Sequence, residues 1–253
     1  MKNGLSSYRV FQLEKDTMGF VWIVTPRGID RFDGSQIRNY KLIMDNKVES
    51  CMPSNKMVRD PHGNVWIGLT HGAIFRYDKM LDEFILDIDI SKEIQSEGFQ
   101  LHSIFWDSSN RLWICTNRGL YIRDNQNQLH YISAYEEGLP STVCEVNPEI
   151  FYIGCRQGIF LVKCNKKLEF SILESNSSTR QCGRVESLFL LQDKLYVGTF
   201  SKGLFIYNKA TKSFSSLSPM IPNKPIHSIK SSKDSNILVG IDGAGIYSID
   251  YQT

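Results

Sequence analysis

Asp60-Pro-His-Gly-Asn-Val-Trp66-Ile-Gly-Leu-Thr-His-Gly72-Ala-Ile-Phe-Arg-Tyr-Asp78 is the stretch from which the fold can be read. An acid opens a tight turn, an apolar run begins with a large aromatic, and a glycine closes the run. A second apolar run then follows. Asp at the head of a turn can bond backbone amides of its own loop. Glycine at the far end permits a backbone conformation closed to residues with a Cβ. Together they describe a two-strand hairpin covered on both faces, since both runs are apolar throughout instead of alternating.

Five more copies of the phrase lie along the 253 residues. They start at Trp22, Trp113, Tyr152, Tyr196 and Leu238, and their glycines are Gly28, Gly119, Gly158, Gly203 and Gly245. Successive anchors, Trp66 included, lie 44, 47, 39, 44 and 42 residues apart. Repeats of about 40–45 residues made of short strands have the period of a β-propeller blade. Each unit carries further strand signals. In the second, a polar turn at 78–82 leads to a fourth strand at 83–86. Innermost strands are expected at 8–13, 102–106, 185–191 and 226–230, and polar outer strands at 37–40 and 212–217. The fold class expected is all-β, a propeller of four-stranded blades with six repeats visible. The blades are placed at 5–42, 50–88, 100–133, 139–173, 184–218 and 226–253 within a single domain. The sixth repeat reaches Thr253 after its third strand signal. The expectation is therefore a last blade lacking its outer strand and completed by further sequence, in a propeller of seven blades. A six-bladed ring closed imperfectly is the competing reading.

Bulk properties narrow the function. Formal net charge is +2 with acids and bases interspersed, which argues against nucleic acid as a partner. No run approaches the ~18 apolar residues of a membrane helix, so this segment does not insert directly, and no signal peptide is legible. Six cysteines without a Cys-x-x-Cys pair read as free, mostly buried thiols. The five histidines are scattered, and neither a metal-ligand spacing nor a nucleophile elbow is present. Each Asp turn supplies one acid to a different blade, whereas a calcium loop gathers several. The reading is no enzyme, no metal and no cofactor. Trp22, Trp66 and Trp113 recur at one blade position and read as packing residues. Trp106 lies outside that register, and packing is the simpler role for it too.

One recurrent position carries a functional signal. The residue before each closing glycine is Arg27, His71, Arg118, Gln157, Lys202 and Ala244, with Arg156 beside Gln157. In a propeller these loops share a face with the blade-to-blade connections. Arg and Lys gathered there would favour carboxylate or sulfate groups. Solvated turn tips that tolerate any polar residue are the plain alternative. The candidate ligand-binding set is Arg27, His71, Arg118, Arg156, Gln157 and Lys202.

The second and third repeats (60–78 and 107–124) resemble the two-component regulator propeller repeat, Asp-x-x-Gly-x-Leu-Trp-Ile-Gly-Thr-x-x-Gly-Leu. The opening Gly4-Leu-Ser-Ser…Asp16-Thr-Met-Gly-Phe-Val-Trp22…Gly28-Ile-Asp-Arg-Phe-Asp-Gly34 is similar to the first blade of the exported sensor region of hybrid two-component systems. The fourth and fifth repeats depart by carrying Tyr for Trp, the sixth by Leu238, and the fourth by Asn147-Pro-Glu at its turn. The resemblance implies a periplasmic sensor responding to an oligosaccharide, with the rest of the sensor chain and a second sensor copy as partners. A protein-interaction propeller and a propeller lyase or lactonase are the alternatives.

Overall fold

The computed structural model describes residues 4–52, 56–132, 138–174, 182–217, 220–232 and 236–250. The chain is an all-β propeller sequence of six blades, and its contacts divide it into two compact units, Met1–His130 and Tyr131–Thr253.

The first unit opens with blade one: β1 (Gln12–Lys15), β2 (Val21–Thr25), β3 (Gly28–Phe32) and β4 (Ile37–Tyr40), hydrogen-bonded in chain order. A short ribbon, β5 (Leu42–Met44) and β6 (Lys47–Glu49), leads to blade two: β7 (Lys56–Arg59), β8 (Val65–Gly68), β9 (Ala73–Asp78) and β10 (Glu83–Asp89). After a single helical turn, α1 (Ile90–Ile94), blade three comprises β11 (Leu101–Trp106), β12 (Leu112–Thr116), β13 (Gly119–Arg123) and β14 (Leu129–Tyr131).

The second unit continues with blade four, β15 (Pro140–Asn147), β16 (Ile150–Cys155), β17 (Gly158–Cys164) and β18 (Phe170–Glu174). Blade five is β19 (Val185–Leu191), β20 (Lys194–Thr199), β21 (Leu204–Asn208) and β22 (Ser213–Ser216). Among the described residues blade six has three strands, β23 (Ile226–Ser231), β24 (Asn236–Ile241) and β25 (Gly245–Asp250). Residues 53–55, 133, 218, 233–235 and 251–253 of the expected blades lie outside the described residues.

Three features differ from the sequence expectation. The first inner strand runs 12–15 and not 8–13, because pairing with β2 decides it: Gln12 faces Val24 and Lys15 faces Val21. Tyr8 is 89% exposed. The inner strands β7 and β15 carried no apolar signal strong enough to be read. The β5–β6 ribbon and α1 were likewise unforeseen, each being shorter than any periodicity can reveal.

The Asp turns do two jobs at once. In blade two, Asp60 Oδ1 accepts the amides of His62 and Asn64, while Oδ2 accepts the indole N–H of Trp66 at 2.9 Å. Asp16 and Asp107 repeat this with Trp22 and Trp113, both at 2.8 Å. The indole N–H would otherwise be buried without a partner, so the acid six residues earlier satisfies it. The three tryptophans are buried as expected. Trp106 is half-buried and packs on Trp66, ring centroids 5.0 Å apart. In blade four, Asn147 takes the turn position and accepts the amides of Glu149 and Ile150.

Neighbouring blades are joined by short polar links as well as apolar packing. Gln12 lays its amide across to blade two, donating to Met57 O and accepting from Met57 N. Ser141 and Ser187 donate to the carbonyls of Val185 and Ile226 on the next inner strands. At the outer strands of blades one and two, Asp82 accepts the hydroxyls of Tyr40 and Tyr77 and pairs with Arg31 and Arg38. The Arg31 guanidinium lies 4.6 Å from the Phe20 ring centroid and within 5.8 Å of those of Trp22, Tyr40 and Tyr77. Glu174 and Tyr207 make the simpler counterpart between blades four and five, at 2.8 Å.

Candidate functional site

In blades one, three, four and five the second-to-third-strand turn is built on the last residue of the second strand. Thr25, Thr116 and Thr199 are buried, and their hydroxyls donate to the carbonyls of Gly28, Gly119 and Gly203. The same oxygens accept the amides of Arg27, Arg118 and Lys202. In blade four the Cys155 sulfur accepts the Gln157 amide at 3.3 Å. The backbones of Arg27, Arg118, Gln157 and Lys202 are therefore fixed from beneath while their side chains are exposed.

The closing glycines are needed for two reasons. Gly28 has φ +127°, and a Cβ on it would stand 2.4 Å from Tyr40 O. Gly72 has φ +111°, with Ser91 N and Phe99 crowding the same point. A side chain there would meet both backbone strain and the connection leaving the blade. These contacts place the turns beside the blade-to-blade connections. Asn117 clamps one connection by donating to Gly98 O and accepting from Gln100 N, and Phe200 N and Asp242 N donate to Arg184 O and Pro225 O.

In the first unit, Arg27, His71 and Arg118 occupy equivalent turns of three successive blades. Their surroundings differ. His71 Nε2 lies 3.1 Å from Glu49 Oε2 on the β5–β6 ribbon, and an Arg118 Nη2 donates to Glu97 O. Arg27 is exposed. In the second unit, Arg156 and Gln157 are exposed on blade four. Lys202 on blade five leans over Gly183, its Cε 3.7 Å from where a Cβ on Gly183 would stand. Burial pushes the neighbouring Cys182 thiol up to about 12, with Lys202 pulling weakly the other way.

Residues the sequence reading missed share these loops. Blade six has Ala244 at its turn, but Lys224 from the incoming connection donates to Gly243 O at 3.3 Å and restores a cation there. In blade five, whose turn is one residue longer, Phe200 stands 45% exposed with the Arg184 guanidinium 4.8 Å from its ring centroid. The extra residue was legible; the stacking was not, because Arg184 belongs to a different loop. Among the described residues, no group of three or more His, Cys, Asp or Glu side chains converges as a metal site. The Asp turns offer none, their oxygens being occupied by amides and indoles.

Solved structures with the same fold now give this geometry a context. The extracellular domain of the hybrid two-component system BT3049 from B. thetaiotaomicron superposes with a TM-score of 0.75 at 25% identity. The match covers 99% of this chain and 35% of that one. The chain shares the propeller of two-component extracellular sensors. The extracellular domain of BT4673 from the same organism agrees, with a TM-score of 0.71 at 19% identity over 96% of this chain and 33% of that one. The present chain thus spans about a third of these extracellular domains. Virginiamycin B lyase from Staphylococcus aureus has a TM-score of 0.71 at 13% identity, covering 96% of this chain and 82% of the lyase, which is a likeness of fold alone. No family model and no curated protein matches the sequence. The similar regulatory structures are extracellular, and no helix among the described residues is long and apolar enough to cross a membrane.

Proposed function

We propose that this chain is a periplasmic sensing propeller of a two-component regulator, and that its turn face recognises an oligosaccharide bearing carboxylate or sulfate groups. The observation that carries the reading is the likeness to the BT3049 extracellular domain along almost the whole chain. The recurrence of exposed cations at turns with fixed backbones supports an anionic ligand. Ligand would act by favouring one arrangement of the larger sensor over another, which requires different affinity for the two. The remainder of the sensor chain and a second copy are the partners this role calls for.

A second reading has one observation in its favour. The β5–β6 ribbon points Ile43 and Val48, a directly opposed pair, away from its packed side, and they are 53% and 57% exposed. An apolar pair on the outer side of a ribbon suits a protein partner. The two readings separate in a thermal-shift screen against neutral and anionic oligosaccharides followed by calorimetry. A ligand binding only the folded chain raises its stability by about 2.7 kcal/mol at a hundredfold excess over Kd. Saturable binding of anionic sugars, weakened by Arg156→Ala, is the expected result. A sharp melt unmoved by every sugar would transfer the role to a protein partner.

A further inference from the structure

The β5–β6 ribbon is anchored on blade two and leaves one edge open. Its strands are joined by Asp45 and Asn46, at φ 49° and 62°, the two left-handed residues of a type I′ hairpin turn. In such a hairpin the pair flanking the turn, Met44 and Lys47, exchanges the hydrogen bonds. The next pair, Ile43 and Val48, therefore turns its amides and carbonyls outward. β5 lies along β10, and among the described residues β6 has no strand on its other side. The ribbon is held from below. Leu42 is buried, Met44 packs on the same core cluster, Asp45 pairs with Lys92 at 3.7 Å, and Glu49 Oε2 meets His71. Val48 thus holds out a backbone donor and acceptor from a fixed place, with its side chain 57% exposed beside Ile43.

We infer that β6 pairs antiparallel with β6 of a second copy of this chain, about a twofold axis at Val48. The inference rests on the second copy that the sensing role calls for, and it names the surface where that copy docks. The strand reads Lys47-Val48-Glu49, which is self-complementary in this register. Val48 faces Val48 of the other copy, and each donates its amide to the other's carbonyl. Lys47 faces Glu49 of the other copy, twice by symmetry, and unlike charges set directly opposite favour pairing. Lys47 is exposed and has no ion pair among the described residues. Glu49 spends only Oε2 on His71. A lysine on an open edge ordinarily discourages strand addition, so a partner must bring an acid to the matching position. Parallel pairing of the same strands would set Lys47 against Lys47, which is unfavourable. In the antiparallel register Ile43 and Val48 of both copies join into one apolar row on the face turned from the core. Three residues a side make a weak contact, suited to sensors already held close together, where proximity raises the effective concentration.

Sedimentation equilibrium of the whole chain, under reductant and up to millimolar concentration, tests the contact. The expected result is a reversible monomer–dimer equilibrium whose dissociation constant rises tenfold or more in Val48→Asp. Lys47→Glu and Glu49→Lys should each weaken it as much, because each sets like charges opposite one another. The two exchanges combined should restore it to within threefold of the parent. Glu49→Lys loses the His71 contact in the single and the double variant alike, so recovery reports on the charges across the axis. Melting curves check that each variant folds, and the charge exchange decides the matter if Val48→Asp does not. A chain that stays monomeric at millimolar concentration overturns the proposal, and the oligosaccharide screen then judges the sensing role separately. A dimer indifferent to Val48→Asp lies on another surface and overturns it as well. Loss in both single charge variants without recovery in the double overturns the antiparallel register.

Discussion

Gly198 sets how closely blade six can approach blade five. A Cβ on it would fall 2.3 Å from Ser187 Oγ and 2.7 Å from Ile226 Cγ2, below any real contact. Gly154 is squeezed in the same way by Val185, at 2.6 Å. The glycine of the repeated phrase is thus a matter of room for side chains of its own and the next inner strand, not of backbone freedom. Gly198→Ala is expected to cost about 1–3 kcal/mol, the usual penalty of overpacking. Chemical denaturation should show a lower midpoint with an unchanged slope, and a variant as stable as the parent would contradict the close approach. The repeat makes the glycine visible in sequence. Its cause is not visible, because one group that needs the space, Ile226, lies 28 residues downstream in another blade, and the other, Ser187, reaches the point only across the paired inner strand.

Hairpins and outer strands were readable where one acid serves a local turn, and opaque where an acid serves two blades. Asp82 ends a turn in blade two, yet it collects Tyr40 of blade one together with Tyr77, Arg31 and Arg38. Burial alone would raise its carboxyl, but the two hydroxyls and the two guanidinium groups outweigh that and hold it below 3.8. A carboxyl depressed in the folded state contributes stability above its unfolded pKa, and that contribution is lost as pH falls through the folded one. Asp82→Asn should therefore lower Tm at pH 7, and the gap to the parent should close as pH falls below 3.8 through the lowered range in which the folded carboxyl takes up its proton. Melting curves recorded from pH 7 to pH 2 would show this. A constant gap across that range would mean that Asp82 acts through shape and not charge. The β5–β6 ribbon belongs to this scale too: three residues a strand are too few for a period, and only its packing and the Glu49–His71 contact reveal it.

Across the molecule, the six cysteines illustrate how a count becomes chemistry. All are free, five are buried and Cys144 is partly so. Burial pushes Cys51 and Cys115 up to about 12 and Cys144 to about 11, far from the thiolate form that reacts. A colorimetric thiol reagent at pH 8 should find almost no reactive cysteine in the folded chain and six after denaturation. Rapid reaction of even one in the folded state would contradict the packing. Taken alone, the sequence determined the blade period, the turn acids, the tryptophans they satisfy and the loops that carry cations, since each is written within a few residues of local chain. Tertiary structure decided which cations are engaged, why the glycines must be glycines, and that Phe200 meets Arg184. Those outcomes depend on side chains from separate loops and blades brought to within a few ångströms, a distance that only packing sets.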